Sequence, residues 1–316
     1  MKKIGTIIAC VVLLHGIASS QAAKQVALTM DDLPLNTASR VDNAELRRIT
    51  ARLLDQIVRT NVPLTGFVNE QKLEVNGRTD PERIAVLQQW LDAGVELGNH
   101  TYAHKSQNQV PVPEAKEDIL KGEEHLRPLL AKNGKHLRYF RHPFLMTGRD
   151  SAKRATMTRF LDSLGYTIAP VTIDDADWIF ATAYEKAYAA KDSGKMRDVG
   201  TRYIGYMEEK VRFYEAMSDS LFGRVIRQTL LFHASRLNGD YYGALCAMFV
   251  RNGYTFITLE EALKDEAYRS KDEYFGGAGI SWLDRWALTL GFRGAIFRGD
   301  PHVPKDIMEY AGIDYE

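Results

Sequence analysis

The apolar run Val26-Ala27-Leu28-Thr29-Met30 ends in two adjacent carboxylates, Asp31 and Asp32, followed by Leu33 and Pro34. Like charges this close repel, and a bound cation relieves the repulsion. A solvated turn is the other reading, because aspartates often start turns at strand ends. A second group, His100-Thr101-Tyr102-Ala103-His104, spaces two imidazoles four apart, so one helical turn would put both within reach of one ion. Two histidines and a carboxylate from another strand form a three-ligand site that leaves positions for water and substrate. Arg141, Asp174, Trp178 and His233 also fall at the ends of apolar segments. Singly, Arg141 reads as an ion pair, Trp178 as a core aromatic and His233 as a buried histidine. Gathered at one mouth they point to metal-assisted hydrolysis.

The elements that must gather them follow a regular rhythm. Val26–Met30 reads as a strand covered on both faces, and Pro34 cannot continue its ladder. Leu46, Ile49, Leu53 and Ile57 predict an amphipathic helix between Asp42 and Thr60. Strands follow at Leu64–Val68, Val95–Gly98, around Leu137–Phe140, at Tyr166–Thr172, Leu230–Phe232 and Tyr254–Ile257. Between them come helices started by Asp80-Pro81-Glu82, over about Pro113–Ala131, over Asp150–Leu164 and over Tyr241–Arg251, and Thr258 opens a last one. Alternating strands and helices imply an α/β chain, a parallel sheet or barrel with helices outside. Residues 179–228 read as a helical insertion, since no strand pattern occurs there. The tail after Ala267 carries Trp282 and Trp286, which either dock on the barrel or line a sugar-binding surface.

These motifs, in this order, resemble the polysaccharide deacetylases of carbohydrate esterase family four, over about residues 25–264. Thr29-Met30-Asp31-Asp32-Leu33 is similar to the family's Thr-Phe-Asp-Asp-Gly, implying Asp31 as catalytic base and Asp32 as metal ligand. His100 and His104 match its His-Thr/Ser-x-x-His ligands. Arg141-His142-Pro143-Phe144 resembles its Arg-x-Pro motif, implying that Arg141 tunes the base and that the Phe144 N–H, beside Pro143, helps hold the oxyanion. Asp174-Asp175-Ala176-Asp177-Trp178 resembles its Asp-x-x-Asp-Trp groove motif, and Leu231-Phe232-His233 its Leu-x-His. These imply His233 as general acid, Asp174 as its orienting partner, Trp178 in the groove and Leu231 in the acetyl pocket. The resemblance implies a distorted parallel (β/α) barrel of the NodB-homology type, over residues 23–267, with a C-terminal extension from 268 to 316 packed on it. Three departures, Leu33 for Gly, His142 for Pro and Ala234 for Asp, remove no proposed ligand but alter the groove.

The implied reaction is removal of N-acetyl groups from an amino-sugar polymer or oligomer, with O-acetyl ester hydrolysis or sugar binding without turnover as the alternatives. His and carboxylate ligands favour Zn2+, with Co2+ or another divalent ion able to serve. Lys plus Arg and Asp plus Glu balance at 41 each, which gives no reason to expect a nucleic-acid partner. The acetylated carbohydrate is the expected partner. Lys2 and Lys3, the apolar stretch Ile4–Ile17 and a small-residue segment ending near Ala22 have the layout of a secretory signal peptide over residues 1–22. Export to the periplasm or the medium follows, with no membrane span in the mature chain. Cys10 would leave with that leader and Cys246 lies among apolar residues, so no internal disulfide is expected.

Overall fold

The computed structural model describes residues 23–316; the expected leader, Cys10 included, lies outside the described residues. The centre of the sheet is β1 (Lys24–Leu33), in which Val26 through Asp31 are buried. Around it in chain order are β2 (Leu64–Val68), a small antiparallel hairpin of β3 (Glu74–Val75) and β4 (Arg78–Thr79), β5 (Glu96–Asn99), β6 (Tyr139–Phe140), β7 (Thr167–Ile168), β8 (Gln228–His233) and β9 (Tyr254–Phe256). The large sheet runs β7-β6-β5-β2-β1-β8, with β9 paired to the first residues of β1. Every pairing in it is parallel. Beyond β7 the chain reaches β8, where Ile173 bridges Leu230 in parallel and both Thr172 and Ile173 donate to the Thr229 carbonyl at 3.0 Å. That contact curls the sheet into a distorted, incompletely laddered barrel.

Capping chemistry fixes most of the outer helices. In α1 (Asn43–Thr60), Asp42 accepts from the Glu45 N–H, and Asn61 closes the helix in the left-handed region. Asp80 caps α2 (Pro81–Asp92), with Pro81 in the first turn where its missing N–H costs nothing. Asp150 caps α5 (Ser151–Ser163) and Ser235 caps α8 (Arg236–Arg251), whose first residue lies five before the Tyr241 that the sequence pattern suggests. The insertion region holds α6 (Asp177–Ala189) and the long α7 (Ser193–Phe222). After the one-turn α9 (Leu259–Ala262) come α10 (Trp282–Thr289) and α11 (Lys305–Ala311), and Trp282 and Trp286 are buried. The docking reading of these two aromatics therefore holds.

Two expectations are corrected. The single helix expected over 113–131 is two, α3 (Val112–Lys121) and α4 (Leu126–Lys132). The break comes where Gly122 is pressed against the Thr101 backbone, a Cβ there standing 2.7 Å from the Thr101 carbonyl carbon. The buried Glu70 carboxylate then restarts the chain by accepting from the His125 and Leu126 N–H groups. The strand expected over 166–172 is a two-residue ladder, because Pro170 lacks a donor and the chain bends across to β8. Among the described residues no helix is long and apolar enough to cross a membrane.

Candidate active site

Parallel strands end on one edge, which brings Asp31 and Asp32 (β1), His100 (after β5), Arg141 (after β6) and His233 (β8) together. His100 and His104 do meet, their Nε2 atoms 3.1 Å apart, but not through a helix. The segment is an irregular loop in which Thr101 (φ 66°) and His104 (φ 55°) take left-handed backbone. Side chains hold it: Asn99 accepts from the Thr101 N–H, Thr101 from the His104 N–H, Asp118 from the Ala103 N–H, and Asn69 donates to the His100 carbonyl. The i,i+4 spacing pointed to the right pair for the wrong geometric reason.

A metal fits these residues on the chemistry of the donors. One ligand atom from each of Asp32, His100 and His104 lies within 4.8 Å of the others. The Nδ1 of His100 stands 2.9 Å from the Arg141 carbonyl, the arrangement that leaves Nε2 as a free lone pair facing inward. Burial pushes both imidazoles down to about 3, so each is neutral and able to ligate. Burial alone would raise Asp32, but Lys72 beside it prevails and holds the carboxyl well below the usual range. Lys72 Nζ stands 3.1 Å from Asp32 Oδ1 as a charge pair without a directed hydrogen bond.

Asp31 sits alongside, with Oδ2 3.7 Å from Arg141 Nη1 and 3.6 Å from His100 Nε2, and with Oδ1 lacking any partner. Burial raises its pKa and outweighs the opposing Arg141 charge, which makes it a stronger base than an exposed aspartate. Arg141 is fully buried, donates from Nη2 to Thr29 Oγ1 at 2.7 Å and lies over the Phe67 ring at 4.7 Å. Gly98 permits that layer, since a Cβ there would meet the Phe67 ring at 2.7 Å.

Level with Asp31 on the neighbouring strand, His233 Nδ1 pairs with Asp177 Oδ1 at 2.6 Å, and its backbone N–H donates to Asp177 Oδ2 at 2.9 Å. Asn238 also donates to Asp177 and is itself held by the Tyr203 hydroxyl. Burial disfavours a charged imidazole, yet Asp177, with Asp32 and Asp31 behind it, raises His233 to about 10. It is therefore protonated at neutral pH, with Nε2 free to give a proton. Phe144 is exposed, its ring edge-on to His104 at 4.4 Å, and its backbone is left-handed (φ 55°). Pro143 is buried beneath it, Leu231 is buried in β8, and Trp178 packs on Tyr315 at 5.7 Å.

The model of the family described as polysaccharide deacetylase matches residues 18–167, which include the Asp31-Asp32 pair, both histidines and Arg141. Over that stretch the chain is similar to the polysaccharide deacetylase family. No curated protein matches the chain. Among solved structures, a carbohydrate esterase family 4 pseudoenzyme from Bacillus anthracis is 16% identical, with a TM-score of 0.51 over 77% of this chain and 66% of that one. A mutant of the pseudoenzyme with restored enzymatic activity is 17% identical, with a TM-score of 0.51 over 77% and 68%. The peptidoglycan deacetylase PdaC from Bacillus subtilis is 21% identical, with a TM-score of 0.48 over 77% and 93%. The likeness to the pseudoenzyme and its mutant shows the polysaccharide deacetylase fold, the distorted barrel expected from the motifs.

The carboxylate paired with His233 is corrected from Asp174 to Asp177. Asp177 opens α6 with its side chain turned under β8, whereas Asp174 Oδ1 accepts from the Asp175 N–H and stands nearer Lys210 and Asp284. His142 is buried against Gln107 at 3.1 Å and does not line the groove. Lys72, Asn69 and Asp118 were not anticipated; they lie in turns and helices without a motif of their own.

Proposed function

We propose that the protein is an exported, metal-dependent hydrolase that removes N-acetyl groups from an amino-sugar polysaccharide or oligosaccharide. The observation that carries this reading is the set of groups beside the Asp32, His100 and His104 donors: a buried base, Asp31, with one carboxylate oxygen free of partners, and, level with it on the neighbouring strand, the His233–Asp177 pair. An acetamide has a weakly electrophilic carbonyl and a poor leaving amine, so it needs both an activated water and a proton donor. A bound divalent ion polarises the carbonyl and lowers the pKa of water from about 15.7 toward roughly 7. Asp31 takes the proton of the attacking water, with Arg141 fixing its orientation. The Phe144 N–H points a donor at the developing oxyanion, and Leu231 packs against the methyl group. His233 gives its proton to the departing nitrogen while Asp177 stabilises the imidazolium. The leader-like residues 1–22 support export, and the donor types support zinc.

The test is acetate release from N-acetylglucosamine oligomers and from acetylated xylan, with metal content measured before and after chelation. Release from the oligomers, lost on chelation and restored by zinc, is the expected result. Release from xylan alone would make the protein an O-acetyl esterase. Metal binding with no release from either would leave a carbohydrate-binding protein.

A further inference from the structure

Resting on the deacetylase reading, we propose that Arg285, in the C-terminal segment outside the family match, is a positioning residue that fixes the Phe144 peptide in its oxyanion-binding conformation. Phe144 and Leu145 are consecutive non-glycine residues in the left-handed region, at φ 55° and 53°. Such residues are strained and persist when their surroundings over-determine them. The Phe144 side chain is 54% exposed and cannot supply that constraint itself.

Arg285 supplies it. Its guanidinium is buried and donates from Nη1 to the Leu145 carbonyl at 3.1 Å and from Nη2 to Thr147 Oγ1 at 2.6 Å. The guanidinium is itself locked: Nε donates to Asp272 Oδ2 at 2.8 Å, and the Trp282 ring lies 4.6 Å away. Gly279, also in this segment, presses on the Phe144 carbonyl so closely that a Cβ would stand 1.6 Å from the oxygen. From the opposite side Asn108 accepts from the Gly148 N–H and donates to the Gly276 carbonyl, tying the loop to the tail. The two peptide planes that follow the Phe144 N–H are thus held, and the Pro143 carbonyl of its own peptide accepts from the Met146 N–H at 3.1 Å, so the turn that aims the Phe144 N–H is set before substrate arrives. Preorganised donors of this kind act on the transition state and leave substrate affinity nearly unchanged.

The experiment compares Arg285→Met, Arg285→Lys and Thr147→Val in the full chain, loaded with metal, for kcat and KM of acetate release. Amide hydrogen exchange of residues 143–147 is measured in parallel. Arg285→Met is expected to lose about 10²-fold in kcat, with KM within about threefold and faster exchange in this loop. Arg285→Lys should recover part of the loss, and Thr147→Val should show a smaller loss of the same kind. Wild-type kcat in Arg285→Met, a loss confined to KM, or unchanged loop exchange would overturn the proposal. Should Arg285→Met fail to fold, Thr147→Val decides by the same criteria. Absence of acetate release from the wild type would overturn the deacetylase reading instead, and the exchange data would still decide whether Arg285 holds the loop.

Discussion

Replacing Asp177 by Asn tests the acid half of the site. The Asp177 carboxylate is fully buried and accepts three hydrogen bonds, from His233 Nδ1, the His233 N–H and Asn238 Nδ2. An amide offers one oxygen and one NH2 in that place. If the oxygen faces the ring, the NH2 confronts a donor; if the NH2 faces the ring, Nδ1 must accept and the imidazole takes the wrong tautomer. Asn238 cannot turn to help without losing the Tyr203 hydroxyl at 2.9 Å. At least one buried donor is left unpaired, a loss of about 1–3 kcal/mol, which a domain with roughly 5–15 kcal/mol of stability survives. The same change removes the charge that keeps His233 protonated near neutral pH. General acid catalysis contributes about 10²–10⁴-fold, and that is the expected fall in kcat, with KM within a few-fold. Asp174→Asn, which leaves every His233 contact in place, should lose less than about tenfold. Steady-state acetate release together with thermal unfolding measures both effects. Wild-type kcat in a folded Asp177→Asn protein, or an equal loss in Asp174→Asn, would refute the assignment.

Asp31→Asn is expected to reduce turnover by about 10²–10⁴-fold with a full complement of metal bound, checked by metal analysis beside the rate. Asp118→Ala removes the acceptor that shapes the His104 loop and should weaken metal affinity about 10–100-fold, read by competition with a chromophoric chelator. Glu70 is buried, and burial raises its pKa from 4.5 to about 7 despite the backbone donors it accepts. A raised folded-state value means this contribution to stability is complete below pH ~4.5 and lost as pH rises through ~7, a change of about 3 kcal/mol. Glu70→Gln should abolish it, so the stability difference between variant and wild type in urea should grow across that window; a constant difference would contradict the assignment.

The sequence was most readable where local chemistry acts alone. Asp42, Asp80 and Asp150 each cap the helix that their position announced, and β1 carries its carboxylates at the mouth as its apolar run required. It was least readable where a side chain's direction depends on distant chain. Nothing in Asp174-Asp175-Ala176-Asp177 says which carboxylate turns under β8, since that depends on how α6 lies against residues 56 positions later. The left-handed turns at Thr101 and His104 leave no trace in residue type, because acceptors from Asn99 and Asp118 impose them. Lys72 and Arg285 reach the site by tertiary packing from segments without a motif.

The pairing of β1 with β8 has a consequence for synthesis. Thr29 bonds the Leu230 carbonyl across 201 positions, so one flank of the central strand waits for residues that emerge far later. At about 5–20 residues per second, the interval is on the order of 10–40 s. Throughout it Val26–Met30 is an apolar strand with a bare edge, a template for pairing between nascent copies. A shortened chain ending with the family match would keep that edge permanently. Expression of the catalytic unit therefore requires the chain through β9 at least, and the yield of soluble protein should be sensitive to anything that holds β1 until β8 arrives.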